Sequence, residues 1–341
     1  MTFSLLSVPC ARRLFAYTSI VFVALAVTCA PVRANVTFSL NITDGVNEGF
    51  NDPVLGGARV SAMNFALNTW SQLLSNSYLG ETINVSASFD AMGGSAFSAV
   101  LGSAGANFIH ANFGGASLGN TWYGSPLANH LAGFDLNAAP EIVAQFNSDV
   151  DNATVLGTTD WYYGTDGNPG GDIDFVSVVL HEVGHGLNFF DVINQNGTWL
   201  VSNRPGIYDR FLVDAPVGGT ALTAMTDAQR AAAIISNSLY WSGANGVAAN
   251  GGVRPKIYAP NPYEPGSSVA HLDESTFPLE LMSPFYSGPD HIISPIHRGM
   301  MIDMGWQIVP EPSTYVLLVT GGMTGLLGVY RRRRILATRR V

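Results

Sequence analysis

From Val36 to Ile42 apolar and polar residues alternate, with Val36, Phe38, Leu40 and Ile42 on one side, which predicts a first strand. The period then lengthens. Gly57 to Leu74 reads as an amphipathic helix with Val60, Met63, Phe65, Leu67, Trp70, Leu73 and Leu74 as its core face. Alternation returns at Ile83 to Phe89, a second strand. The Gly-, Ala-, Ser- and Asn-rich run 93–133 contains a further strand at Ala106 to Phe113. Glu141 to Phe146 is another, taken as the sheet edge, and a turn follows at Asn147 to Asn152. Asp174 to Leu180 is a β-branched run that periodicity leaves open between helix and strand. Beyond it, Ile207 to Asp214 reads as a strand, Asp227 to Ile235 as a short helix capped by Thr226, and Ser294 to Met304 as a closing helix.

Chemistry decides the ambiguous run. It leads into His181-Glu182-Val183-Gly184-His185. On a helix, residues four apart share a face one turn apart, so both imidazoles can bind one metal. Alternating strand side chains would not place them so. Glu182 then lies beside the metal's open position, where it can take a proton from a water bound there. This is the His-Glu-x-x-His zinc-protease signature. Asp172 or Asp174 can cap the helix, and Phe175, Val176, Val179, Leu180, Val183 and Leu187 place apolar residues on all its sides, which predicts central burial.

The two ends differ from the rest. Arg12 and Arg13 precede an apolar run from Leu14 to Val27, and Val32-Arg33-Ala34 supplies a signal-peptidase site. Residues 1–34 are therefore read as a cleaved signal peptide rather than a retained anchor, the run being short for a span. Val309-Pro310-Glu311-Pro312-Ser313 leads into the apolar stretch 315–330 and the cluster Arg331 to Arg334. This order predicts transient membrane insertion with the arginines left cytoplasmic. It resembles the PEP-CTERM sorting signal of Gram-negative bacteria. The resemblance covers residues 310–341 and implies cutting by an exosortase-type enzyme near Pro310–Ser313, then release to the envelope surface or medium. The alternative is a plain stop-transfer anchor.

Between these ends, residues 35–309 are read as a single metalloprotease domain. Removing Arg12, Arg13, Arg33 and the six tail arginines leaves 7 of the 16 basic residues. Against 24 acids outside Glu311 this gives about −17. Such a surface repels nucleic acid and excludes it as a partner. Both cysteines, Cys10 and Cys29, fall in the signal peptide, so the mature chain has no disulfide and no thiolate ligand.

A catalytic zinc needs three protein ligands and one open position. Strand, helix, strands and a long metal-binding helix together resemble the upper lobe of metzincin-type proteases. There a mixed sheet lies over the active-site helix, and its edge strand holds peptide. The implied fold is α+β and two-lobed, with an upper lobe at about 35–188 and an irregular lower lobe at about 189–309. Metzincins carry Gly where Asn188 stands, because the helix ends there in a left-handed turn that Asn also tolerates. Asp191, three residues further on, occupies the third-ligand place of the compact metzincins. A second candidate is His271. The segment Ser268 to Met282 resembles the leishmanolysins at His271, Asp273, Glu274, Phe277, Glu280 and Met282. That resemblance implies His271 as third ligand and Met282 as the turn beneath the metal. His271 is preferred over Asp191, as the better neutral zinc donor. Leishmanolysin is disulfide-rich and this mature chain is not, so the likeness rests on the two zinc segments.

Three further assignments are weaker in kind. Asp166, Asn168 and Asp172 could hold calcium with backbone carbonyls, but a turn and helix cap is the preferred reading. Tyr286 could donate to a developing oxyanion, against a plain core or rim tyrosine. His110, His130, His291 and His297 are read as structural. The expected function is an exported zinc metalloendopeptidase acting on protein or peptide. The alternatives are a matrix protein with a structural zinc site and a zinc hydrolase of a non-peptide amide.

Overall fold

Four strands form the main sheet: β1 (Thr37–Ile42), β2 (Thr82–Asp90), β3 (Gly102–Ala106) and β4 (Ile142–Asn147). The computed structural model describes residues 34–309. The predicted signal peptide up to 33, the tail 310–341 and both apolar stretches lie outside the described residues. Among those described, no helix is long and apolar enough to cross a membrane.

The sheet order is β1-β2-β4-β3. β1, β2 and β4 run parallel, and β3 pairs antiparallel with β4. Parallel neighbours need a crossover, and α1 (Gly56–Leu73) supplies it between β1 and β2. The sheet's covered face is legible in β2, where Ile83, Val85, Ala87 and Phe89 are buried and alternate with partly exposed residues. The remaining helices are α2 (Ser125–Ala132), α3 (Phe175–Gly186), α4 (Asp227–Ala233), α5 (Ala244–Ala249) and α6 (Pro295–Met304). α3 packs against α1 and β3. Its first residue, Phe175, closes an aromatic cluster with Phe50, Phe89, Phe146 and Trp161. The mix of sheet and helices is α+β, as expected.

Several details correct the sequence reading. Glu141–Phe146 is not the edge: β4 is hydrogen-bonded on both sides, and β1 and β3 are the edges. One-sided burial looks the same in an inner and an outer strand, so alternation could not separate them. The strand expected at 106–113 is broken. β3 ends at Ala106, and Ile109–His110 turns away to pair with Tyr123–Gly124. Ile207 to Asp214 is a 3-10 turn, Tyr208–Phe211, followed by only two strand residues. The Asp209 carboxylate bends this segment by accepting the Gly206 and Val192 amides at 2.7 and 3.3 Å. Phe65 faces out, 38% exposed, because it stands about 200° round the helix from Met63 and Leu67. The Thr226 cap is present as a full capping box with Gln229, and Ser294 caps α6.

The ends of the described domain meet. Asn35 bridges to Ser75 and Leu74 to Ile308. Main-chain bonds from Val36 to Leu74 (2.9 Å), Ser75 to Gln307 (2.8 Å) and Val309 to Leu73 (2.8 Å) join three short segments into one ladder.

Candidate metal centre

α3 is set in place by its own first turn. Asp174 caps it, its Oδ1 accepting from the Ser177 amide and hydroxyl, both at 2.7 Å. Two close approaches then need glycine. A Cβ on Gly184 would stand 2.8 Å from Met282 Sδ, and one on Gly186 would stand 2.6 Å from Ile142 Cδ1. The helix thus lies pressed between β4 on one side and the Met282 segment on the other. It ends as expected in a left-handed turn, Asn188 having φ 88°. The departure from glycine there has a reason. Asn188 is buried, and its Oδ1 accepts from the Gly124 amide at 2.6 Å, a partner glycine could not offer.

His181, His185 and His271 converge. Their Nε2 atoms are 3.1 Å apart for His181–His185 and 3.2 Å for each pair with His271. Each Nδ1 meets a main-chain carbonyl: Leu281 at 2.6 Å, Phe189 at 2.7 Å and Ser267 at 2.8 Å. A carbonyl only accepts, so every ring carries its proton on Nδ1 and turns a bare Nε2 lone pair to the common centre. Protonation is opposed as well. Burial pushes His181 below its usual range; burial and then the His181 charge push His185 down to about 3; burial and its two neighbours push His271 well below. Three buried lone pairs aimed at one another repel unless a cation sits between them. Nitrogens 2.0–2.1 Å from a tetrahedral centre are about 3.3 Å apart, close to what these rings show. The donor set and its spacing therefore fit a zinc-like ion, and these three form the cluster of potential metal ligands among the described residues.

Glu182, 7% exposed, lies between α3 and the edge strand β3. The Ala104 amide donates to its carboxylate, and a Cβ on Gly102 would be 3.1 Å from its Cγ. Burial pushes its pKa up to about 8; a cation held by the histidines would act the opposite way.

The other expected residues fall as follows. Met282 is fully buried beneath the helix, and its carbonyl accepts from Leu272 at 2.9 Å, tying the turn to the His271 segment. Asp191 is outside the cluster and its Oδ1 accepts from the Ile193 amide at 2.9 Å. Tyr286 is held at the other end of α3, its hydroxyl accepting from the Asp174 amide at 2.9 Å. That is seven residues from His181, about 10 Å of helix, so it does not face the histidines. In the loop read as a turn, with calcium as the alternative, Asp166 accepts from the Tyr162 hydroxyl and the Asn168 amide, and Asp172 from the Asp160 amide. These are turn contacts. Asp174, not Asp172, is the cap. His130 pairs with Glu81 at 2.8 Å and His291 with Asp174 at 2.8 Å. His297 is buried against Trp70 and Phe189, both ring nitrogens without a partner. Sequence reasoning missed the part of Ala104 and Gly102, whose small side chains gave no signal, and that of the three carbonyls, which have none to give.

A buried acid pair lies just past the site. Burial pushes Asp191 up to about 7; burial and then the Asp191 charge push Asp209 well above the usual carboxylate range. Groups raised in this way add stability that is complete below the unfolded value near 3.8 and is lost as the pH rises through about 7. The melting temperature should fall between about pH 4 and about pH 7. Asp209→Asn should flatten that fall, keeping an oxygen for the Gly206 and Val192 amides without the charge. Equal slopes in thermal melts of the two proteins would show that the pair carries no such cost.

Neither a curated protein nor a solved structure matches this chain. A family model does match its end, residues 309–334, and that model describes the PEP-CTERM protein-sorting motif. The chain therefore carries a bacterial signal for export and sorting to the cell envelope, of the kind processed by an exosortase-type enzyme.

Proposed function

We propose that the protein is an exported zinc-dependent metalloendopeptidase of the metzincin type, nearest in its zinc segments to the leishmanolysins. The observation that carries this reading is the convergence of three bare Nε2 atoms on one another, two of them from the helix that also presents the buried Glu182 toward the edge strand of a sheet. A structural zinc site is closed by four protein ligands. Here the cluster has three histidines and, among the described residues, no fourth protein ligand, and Glu182 follows His181 directly on the same helix.

His181, His185 and His271 would hold the ion through Nε2, and their Nδ1 contacts fix each ring's tautomer and angle. Bound zinc would supply Lewis acidity, activating water and polarising the scissile carbonyl. Glu182 accepts the proton of the attacking water on its carboxylate and returns it to the leaving amine. Both transfers suit a group held off bulk water, since the proton stays in the site. β3 has β4 on one side only, so its free edge can take an extended peptide as an added strand. Its Ala104 amide also fixes Glu182, which sets the base in register with a peptide lying along that edge. Met282 supports the floor, and the two-lobed division at about 188 follows from the same reading. The tail's apolar stretch is taken to insert in the membrane before it is removed.

Incubation of the mature chain with a casein-like protein tests the proposal. Cleavage should stop on adding a strong chelator and return with zinc. No cleavage by a chain that retains one tightly held zinc would favour a structural site. Cleavage that survives complete metal removal would rule out the zinc mechanism.

A further inference from the structure

The junction of the two chain ends carries a consequence for the precursor. Val309 is still bonded into the domain through Leu73, and the sorting motif starts at that same residue. No free linker separates the two. From Val309 to Tyr315, where the apolar stretch begins, the chain can span at most roughly 20 Å when fully extended. Asn35 leaves the same ladder through Ser75.

Two large apolar side chains stand exposed close by. Leu79 is 97% exposed and Phe134 is 56% exposed. Both belong to this face. Ser77, two residues from the ladder at Ser75, donates through its hydroxyl to the His130 carbonyl near the end of α2. Tyr78 lies close enough to Asp135 for its hydroxyl to feel that charge. The turn carrying Leu79 and the turn carrying Phe134 are therefore neighbours, next to the point where the tail departs.

We propose that this face of the precursor lies on the membrane surface, with Leu79 and Phe134 at headgroup depth. The occupant follows from the tether: a span starting within roughly 20 Å of Val309 leaves little room for anything but lipid against this face. An exposed aliphatic and an exposed aromatic residue suit the interfacial zone. With the domain near −17, the favoured surface is zwitterionic rather than strongly anionic. The inference rests on the tail inserting in the membrane, and the test separates the two.

The mature chain's lack of cysteine makes site-specific probes clean. In the full chain with Cys10→Ser and Cys29→Ser, single substitutions Leu79→Cys, Phe134→Cys, Val217→Cys and Val319→Cys would each carry an environment-sensitive dye. Val217, 88% exposed in a loop held to Arg254, is the comparison site. The precursor is reconstituted in phosphatidylcholine vesicles containing a lipid-borne quencher. Quenching at 79 and 134 several-fold above that at 217, with 319 also quenched, is the expected result. Quenching at 319 with 79 and 134 no different from 217 would overturn the membrane-facing face while leaving the tail inserted. No quenching at 319 would overturn the inserted tail, and the face with it.

Discussion

Glu182→Gln is expected to fold and hold zinc like the parent and to lose nearly all peptidase activity. The substitution keeps the side chain's size. Its amide oxygen can still accept from the Ala104 amide that positions the carboxylate. The three candidate ligand rings are oriented by other groups altogether, the carbonyls of Leu281, Phe189 and Ser267. Folding should be preserved or slightly improved, because a buried charge is removed. The missing function is proton acceptance, and a lost general base typically costs about 10²–10⁴ in rate. In the proposed mechanism the same residue also protonates the leaving amine, so the upper end is expected. Turnover of a fluorogenic peptide, with zinc content measured on the same sample, checks it. Near-parental turnover would remove Glu182 from the mechanism.

His271→Ala is expected to reduce zinc affinity by more than 100-fold, with activity lost in parallel. Disturbing only a ligand's supporting partner typically costs 10–100-fold, and here one of three ligands goes. His181 and His185 remain on one helix face and can hold a metal only weakly. The comparison is Asp191→Ala. Asp191 bonds its own turn at Ile193 and stays outside the cluster, so this variant should keep its zinc. Metal content after dialysis against a competing chelator, with circular dichroism for fold, distinguishes the two. Retention in His271→Ala together with loss in Asp191→Ala would transfer the ligand's role to Asp191.

The residues of the candidate site differed in how far the sequence exposed them. His181 and His185 were legible from spacing alone, since helical geometry makes four residues one turn. Helix α3 itself was legible only because of them; Asp174 to Leu180 has no period that favours helix. His271 lies 86 residues beyond His185 and no local rule reaches that far, so only its resemblance to a known segment marked it. β3 was misplaced because Gly102, Ser103, Ala104, Gly105 and Ala106 offer almost no contrast between faces. The edge of the sheet was assigned to the wrong strand because pairing partners are set by tertiary order, not by side-chain pattern. α2 is signalled locally by Pro126 in its first turn and by Gly133, with φ 79°, at its end. Phe65 shows the opposite error, an apolar residue taken for core because it was apolar.

The three carbonyls behind the candidate ligand histidines bear on how this site responds to mutation and drift. Where carboxylates orient the metal's imidazoles, each orienting group is one codon away from loss. Here Leu281, Phe189 and Ser267 present the same acceptor whatever side chain they carry. Apolar replacement at those positions can shift a ring only by moving backbone. A saturation scan would then register sharply at the three histidines and Glu182 and softly at the half-buried Ser267, while the buried Phe189 and Leu281 would register through core packing rather than through the acceptor they present. The orienting acceptors are thus inherited from the path of the backbone, and side chains at these positions bear on them only through the packing that holds that path.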